Sequence, residues 1–143
     1  MTVVLDPANP LHVHAAERLE TEVPIWLTTV DADGQPQSSP VWFWWDGGVF
    51  HFWSKPDTPK VRNMRGSPHV SLHLQASDTG DDDVVILEGI AEVDVGRSDA
   101  DWFPAFVDKY RTLIEEYGWT LGEGEAAEYS LRFRVMPTRI RAH

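Results

Sequence analysis

Hydrophobic and polar positions along this chain alternate mainly with the two-residue period of β-strands, in short segments separated by turn signals. This pattern predicts six strands, at residues 24–30, 37–45, 49–53, 69–74, 84–95 and 131–140. The turn signals Asp31-Ala32-Asp33-Gly34 and Asp46-Gly47-Gly48 separate the first three strands. The first half of the sequence therefore predicts an antiparallel meander.

Three other segments have the end signals of helices. Asn9 is a suitable cap for a short first helix, and Thr58 is a suitable cap for a second. Ser98 and Asp101 resemble a capping box for a third helix, which the sequence predicts to end at Gly118.

The elements together predict one domain that spans residues 1–143. The chain has no internal repeat and no interdomain linker, and its length is sufficient for a core without disulfides. Six strands and two or three short helices predict a mostly β (α+β) fold, a small antiparallel barrel. Gly89 interrupts the fifth strand, which predicts a bulge or a tight bend there.

Charge and composition narrow the possible partners. The sequence has 12 Lys and Arg against 23 Asp and Glu, a formal charge of −11, which argues against nucleic acid and anionic membranes as partners. Because it has no cysteine, a thiolate nucleophile and a Cys-ligated metal are excluded. The histidine spacing matches no metal motif, so no metal site is predicted. With no apolar run of membrane-spanning length and no signal-peptide pattern, we expect a cytoplasmic location.

One segment departs from the acidic average. Its four basic residues, within eleven positions, are Lys55, Lys60, Arg62 and Arg65. Asp57 is the one acidic residue among them, and Ser54 and Thr58 add hydroxyl groups. Cations, hydroxyls and a helix N-terminus together predict a phosphate-binding site. The alternative is an ordinary solvated surface loop, which is the commoner origin of clustered charge.

A run of aromatic residues follows the first turn. Alternation directs Val41, Phe43 and Trp45 to one face of the strand and Trp42 and Trp44 to the other. One face then fills the core, as strand aromatics usually do. Because a small barrel buries one face of its strands by itself, we expect a partner or a planar ligand to cover the other. A dimer interface is the simplest form of such cover.

The order of motifs resembles the pyridoxamine 5′-phosphate oxidase-like split barrels. The segments that carry the resemblance are residues 33–43, 46–48, 54–63, 68–72, 85–89 and 137–140. Among these proteins the short, Trp-rich form with Lys60 and Asn63 is most similar to the deazaflavin-dependent oxidoreductases that use coenzyme F-420. In contrast to many relatives, Pro59 stands where an arginine is usual.

The resemblance implies a homodimer of six-stranded split barrels, with two cofactors at the subunit interface and hydride transfer to a small conjugated acceptor. The residues that it places at the cofactor phosphate and acidic tail are Ser54, Lys55, Thr58 and Lys60. Those that it places along the ring system are Ser39, Pro40, Val41 and Trp42. Asn63 matches a position that supports the loop. No side chain is assigned as a catalytic acid or base, and solvent is an adequate proton donor.

Two alternatives remain open from the sequence. Flavin and deazaflavin have the same ring shape, so an FMN-dependent oxidoreductase fits the same residues. A non-catalytic protein that binds a cofactor or haem is the second alternative, from a different functional class.

Overall fold

The computed structural model describes residues 5–93, 102–119 and 128–143. Its helices are α1 (Pro10–Thr21), α2 (Pro59–Gly66) and α3 (Trp102–Tyr117). Its strands are β1 (Pro24–Val30), β2 (Pro36–Trp42), β3 (Trp44–Trp45), β4 (Phe50–Ser54), β5 (His69–His73), β6 (Val85–Val93) and β7 (Leu131–Ala142). The predicted capping box at Ser98 and Asp101 lies outside the described residues.

All seven strands form one antiparallel sheet with the order β2-β1-β5-β6-β7-β4-β3. The two strands at its edges, β2 and β3, are consecutive in the chain and are separated by the single residue Phe43. A sheet whose opposite edges are one residue apart must curl on itself, which confirms the predicted split barrel.

The prediction of a single strand over residues 37–45 is wrong, because the chain changes its neighbour within that span. Trp42 is opposite Pro24 of β1, whereas Trp44 is opposite His51 of β4. At Phe43 the chain leaves one ladder and enters the other, so the sheet has seven strands where six were predicted.

The backbone of Phe43 is bonded by α3 at this break. Its N–H donates to the Tyr110 hydroxyl at 2.8 Å. Its carbonyl oxygen lies 2.8 Å from the Tyr110 hydroxyl and accepts a hydrogen bond from Lys109 Nζ at 3.1 Å. Side chains of α3 thus provide the hydrogen bonds that the Phe43 backbone would otherwise make to a neighbouring strand.

The main core lies on the inner face of the curled sheet. Strand alternation places Ile25 and Leu27 of β1 in this core and leaves Trp26 half-buried on the outer face. The helices add Ala15 and Leu19 of α1 and Val61 and Met64 of α2.

A second, smaller apolar cluster lies between α3 and the outer face of the barrel. Its buried members on the helix are Phe106, Tyr110 and Ile114, and the packed tryptophans include Trp42, Trp44 and Trp53. The ring of Trp42 is stacked on Tyr110, with centroids 4.4 Å apart and planes at 4°. A helix of the same chain therefore packs on part of this second aromatic face, where we expected a partner or a planar ligand. Because Trp42, Trp44 and Trp53 remain partly exposed, further cover by a partner or ligand stays a prediction.

The bulge expected at Gly89 is confirmed. The β6–β7 register shifts between Glu88 and Gly89, where Thr138 is the extra residue of β7. A Cβ at Gly89 would lie 2.6 Å from Val135 Cγ1 and 2.9 Å from the Met136 carbonyl oxygen. Glycine is required here because the backbone of the neighbouring strand approaches so closely.

The helix ends follow the local sequence signals. Asn9 Oδ1 accepts a hydrogen bond from the Leu11 N–H at 3.0 Å, and Thr58 caps α2 through the Val61 N–H. The last turn of α3 is followed by Gly118 in the left-handed conformation, at φ 68°. Within the described residues, α1, α2 and α3 all lack the length and apolar character of a membrane-spanning helix.

We expect Tyr110→Phe to destabilise the fold, because it removes the hydroxyl that bonds the buried backbone of Phe43. The cost should be about 1–3 kcal/mol, the usual effect of leaving a buried polar group without its partner. Urea unfolding followed by tryptophan fluorescence measures it. Tyr117→Phe is the matched control, since Tyr117 is 59% exposed. Equal stability of the two variants would contradict the role given to Tyr110.

Candidate functional site

The basic segment follows the end of β4 and leads into α2. Lys55 and Thr58 lie at a surface cavity of about 480 Å³. Its lining residues are Lys55, Pro56, Asp57, Thr58, Glu128 and Ser130. The cavity therefore combines the predicted loop with residues just before β7, from the far end of the sequence.

The two predicted hydroxyl donors have different environments. Thr58 Oγ1 accepts the hydrogen bond from the Val61 N–H at 3.4 Å, so its own hydrogen remains available to a ligand in the cavity. Ser54 is 1% exposed, and its hydroxyl donates to the Lys55 carbonyl oxygen at 2.9 Å. The structure thus places Thr58 at the cavity and Ser54 behind it, where Ser54 stabilises the loop.

Lys55 is paired with a carboxylate that sequence reasoning missed. Lys55 Nζ lies 3.1 Å from Glu128 Oε2 and 5.5 Å from the centroid of the Tyr129 ring. No local pattern connects Glu128 to the basic segment, since the two come together only through the pairing of β4 with β7. The ion pair shows that Lys55 is placed to hold an anionic oxygen at this cavity.

The other basic residues differ in exposure. Lys60 is half-buried in the first turn of α2, and this burial lowers its pKa from the usual value. Arg62 is exposed and donates to the Asp57 carbonyl oxygen at 2.8 Å, which braces the loop. Arg65 is exposed in the last turn of the helix.

Asn63 connects the helix to the neighbouring strands. Its side-chain amide donates to Thr29 Oγ1 at 3.0 Å and to Gln37 Oε1 at 2.8 Å. Thr29 is on β1, and Gln37 is on β2, two residues before Ser39. This network fixes α2 beside the strand that the resemblance associates with the cofactor ring.

The four predicted ring-contact residues divide between the two faces of β2. Val41 packs against the inner core, whereas Pro40 is exposed and lies opposite Trp26 of β1. Trp42 is stacked on α3, as described above. Ser39 and Val41 therefore share one face, and Pro40 and Trp42 share the other.

A carboxylate–imidazole pair, in which His51 is buried and Asp46 is at the surface, was also missed from the sequence. His51 Nε2 lies 2.8 Å from Asp46 Oδ2, and Asp46 Oδ1 accepts from the Gly48 and Val49 N–H groups. Burial alone would raise the pKa of Asp46, but these hydrogen bonds lower it below its usual value. The pair holds the turn between β3 and β4. Within the part of the chain that the structure describes, no group of three or more side chains is arranged to bind a metal.

The cavity at Lys55 has the donor set that a phosphate group requires. Lys55 supplies an ammonium group, Thr58 and Ser130 supply hydroxyls, and the start of α2 adds a partial positive charge. Asp57 and Glu128 oppose an anion there. A phosphate would replace the Glu128 carboxylate as the partner of Lys55. The residues of the cavity therefore fit the phosphate group of a cofactor.

Comparison with solved structures gives close matches to the fold. An F420 reductase is 25% identical, with a TM-score of 0.65 over 87% of this chain and 94% of that chain. The haem storage protein HutZ from Vibrio cholerae is 17% identical, with a TM-score of 0.68 over 98% and 95% of the two chains. An FAD-binding protein from Mesorhizobium loti is 18% identical, with a TM-score of 0.58 over 89% and 90%. The last two likenesses show the fold alone.

Sequence comparison agrees with this fold. No curated protein matches the chain significantly. A family model described as pyridoxamine 5′-phosphate oxidase matches residues 11–143, which is nearly the whole sequence. The chain therefore belongs to the pyridoxamine 5′-phosphate oxidase family.

Proposed function

We propose that this protein is a reductase that uses coenzyme F-420 and transfers hydride to a small conjugated acceptor. The observation that carries the proposal is the cavity at the start of α2, where Lys55 already holds a carboxylate oxygen at 3.1 Å. The likeness to an F420 reductase, at 25% identity over most of both chains, favours the deazaflavin over FMN.

In this proposal the basic segment binds the anionic part of the cofactor. Lys55 and Thr58 bind the phosphate in the cavity, and Lys60 binds the acidic tail from the first turn of α2. An anion beside Lys60 would offset the effect of burial, which lowers the pKa of its ammonium group. Asn63 acts as a positioning residue, because its bonds to Thr29 and Gln37 hold α2 against the sheet.

The remaining residues position the ring and exclude water. Ser39 to Val41 provide an extended backbone at the strand that Asn63 holds beside α2. When bound, the deazaflavin supplies the hydride. The chain supplies placement and an apolar wall, and solvent supplies any proton that the acceptor needs.

We also propose that the protein is a homodimer, with the acceptor and cofactor clefts at the subunit interface. Outside the area that α3 covers, the outer face of the sheet has five half-buried apolar residues: Trp26, Val30, Ile86, Ile90 and Met136. We call these five residues the open outer face. They lie in two rows across the strands, with Trp26 and Ile86 on one side and Val30, Ile90 and Met136 on the other side of the polar residues Thr28, Ser71 and Glu88. Apolar patches with polar residues between them are suited to a second copy of the chain.

Direct titration tests the cofactor assignment. Coenzyme F-420, FMN and haem are each added to the purified protein, and binding is followed by the fluorescence of its seven tryptophans. We expect saturable binding of F-420 and weaker binding of FMN. Tight binding of haem alone would favour a storage protein, and binding of none of the three would refute the proposed function.

The same titration tests Lys60. We expect Lys60→Ala to weaken F-420 binding by about ten- to a hundredfold, the loss of one charge-assisted contact. Arg111→Ala is the matched control, because it removes an exposed basic side chain on α3. Unchanged affinity in Lys60→Ala, or an equal loss in both variants, would show that Lys60 does not bind the cofactor.

Glu128 should compete with the phosphate for Lys55. We expect Glu128→Gln to strengthen the binding of F-420 and of inorganic phosphate by up to about fivefold, since an exposed ion pair is worth about 0.2–1 kcal/mol. Glu92→Gln, which removes another exposed and ion-paired carboxylate, is the control. Weaker binding in Glu128→Gln would mean that Glu128 supports the ligand site.

The dimer is tested by light scattering coupled to size exclusion. We expect the wild-type protein to have twice the mass of one chain and Ile90→Glu to be monomeric, because a carboxylate would be buried in the interface. Leu11→Glu, at an apolar residue on α1 that is 49% exposed, should remain dimeric. A monomeric wild-type protein would contradict the proposed interface.

A further inference from the structure

Of the three lysines in the chain, Lys109 is the one whose amine contacts the fully buried residue Phe43. It lies on α3 with its Nζ 3.1 Å from the Phe43 carbonyl oxygen and 3.5 Å from the centroid of the Phe43 ring. The second ring beside it is Tyr110, at 5.1 Å from Nζ. The amine is thus held at a fixed point between α3 and the break in the barrel strand.

Lys109 also lines a surface cavity of about 590 Å³. The other lining residues are Glu20 and Thr21 of α1, Trp44 and Trp45 of β3, and Ala105 and Asp108 of α3. None of these described residues also lines the cavity at Lys55. The cavity is therefore separate from the proposed cofactor site and is large enough for a small organic molecule.

Burial makes this amine nucleophilic near neutral pH. Desolvation lowers the pKa of Lys109 to about 7, although the negative charge of Glu22 opposes the shift. The carboxylates around it are those of Glu20 on α1, of Glu22 just after that helix, and of Asp108 on α3. Glu22 is paired with Arg18, and Asp108 is paired with Arg111. A large fraction of Lys109 is then the free amine, which is the form that attacks a carbonyl carbon.

We propose that Lys109 is a carbonyl-binding residue, whose amine forms a reversible imine with an uncharged aromatic aldehyde in this cavity. Trp44 and Trp45 add apolar groups to the lining, and Trp44, the more exposed of the two, offers an aromatic surface to the aldehyde. The carboxylates of Glu20 and Asp108 repel aldehydes that carry a negative charge. The site is accordingly expected to prefer apolar, uncharged aldehydes.

The step needs no oxidant or reductant. The Nζ lone pair forms a bond to the carbonyl carbon, and the carbonyl oxygen leaves as water with the two protons that the amine loses. The product is a carbon–nitrogen double bond. When the imine takes up a proton it again has one N–H and a positive charge. The Phe43 carbonyl oxygen and ring, which contact Nζ in the free protein, are placed to stabilise that charge.

Reductive trapping tests the proposal on the whole protein. The protein is incubated with benzaldehyde and sodium cyanoborohydride at pH 7, and the modified lysines are identified by peptide mass mapping. We expect Lys109 to be labelled about tenfold more than Lys55, because Lys55 is an ion-paired ammonium group. Labelling of Lys109 should level off above about pH 7.

Two comparisons distinguish specific binding of the aldehyde at Lys109 from the ordinary reactivity of surface lysines. We expect 4-carboxybenzaldehyde to label Lys109 several-fold less than benzaldehyde does, and Asp108→Asn to reduce that difference. Lys109→Arg should lose the fast labelling while Lys55 and Lys60 react as before. Equal labelling of the three lysines, or no discrimination between the two aldehydes, would overturn the proposal whether or not F-420 binds.

Discussion

The fold depends on how the backbone of Phe43 is satisfied where the two edges of the sheet meet. At that residue the chain leaves its pairing with β1 and begins its pairing with β4, so the ladder bonds are interrupted in a buried place. Tyr110 and Lys109 of α3 supply the missing partners. Because an unpaired buried amide is costly, the barrel closes where α3 docks, and the two events are energetically linked.

The same docking divides the outer surface of the sheet. The part that α3 covers contains Trp42, Trp44 and Trp53, which pack against the helix and are thereby partly buried without any second molecule. The part beyond α3, the open outer face, keeps its apolar residues half-buried. The interface that we propose therefore lies on β1, β6 and β7, whereas the aromatic run at residues 41–45 packs against the core and α3 of its own chain.

The charged residues are also paired between distant parts of the chain. The chain is acidic overall, and its basic segment looks unopposed in the sequence apart from Asp57. In the structure Glu128 reaches Lys55 from the segment before β7. The cation is thereby stabilised in the free protein, and any anionic ligand must be a better partner than one exposed carboxylate. Asn63 contributes stability of another kind, since its two hydrogen bonds fix the helix on the sheet.

Features that arise from neighbouring residues could be predicted from the sequence: the strand periods, the turns, the caps at Asn9 and Thr58, and the bulge at Gly89. Each of these depends on local sterics or on a hydrogen bond within a few positions. The sequence also allowed the split-barrel family to be recognised from motif order. The break at Phe43, the packing of α3 on the tryptophans, and the cavity at Lys109 could not be predicted in this way. Those depend on contacts between residues far apart in the chain, where the free energy of burial and of satisfying buried polar groups outweighs local preference.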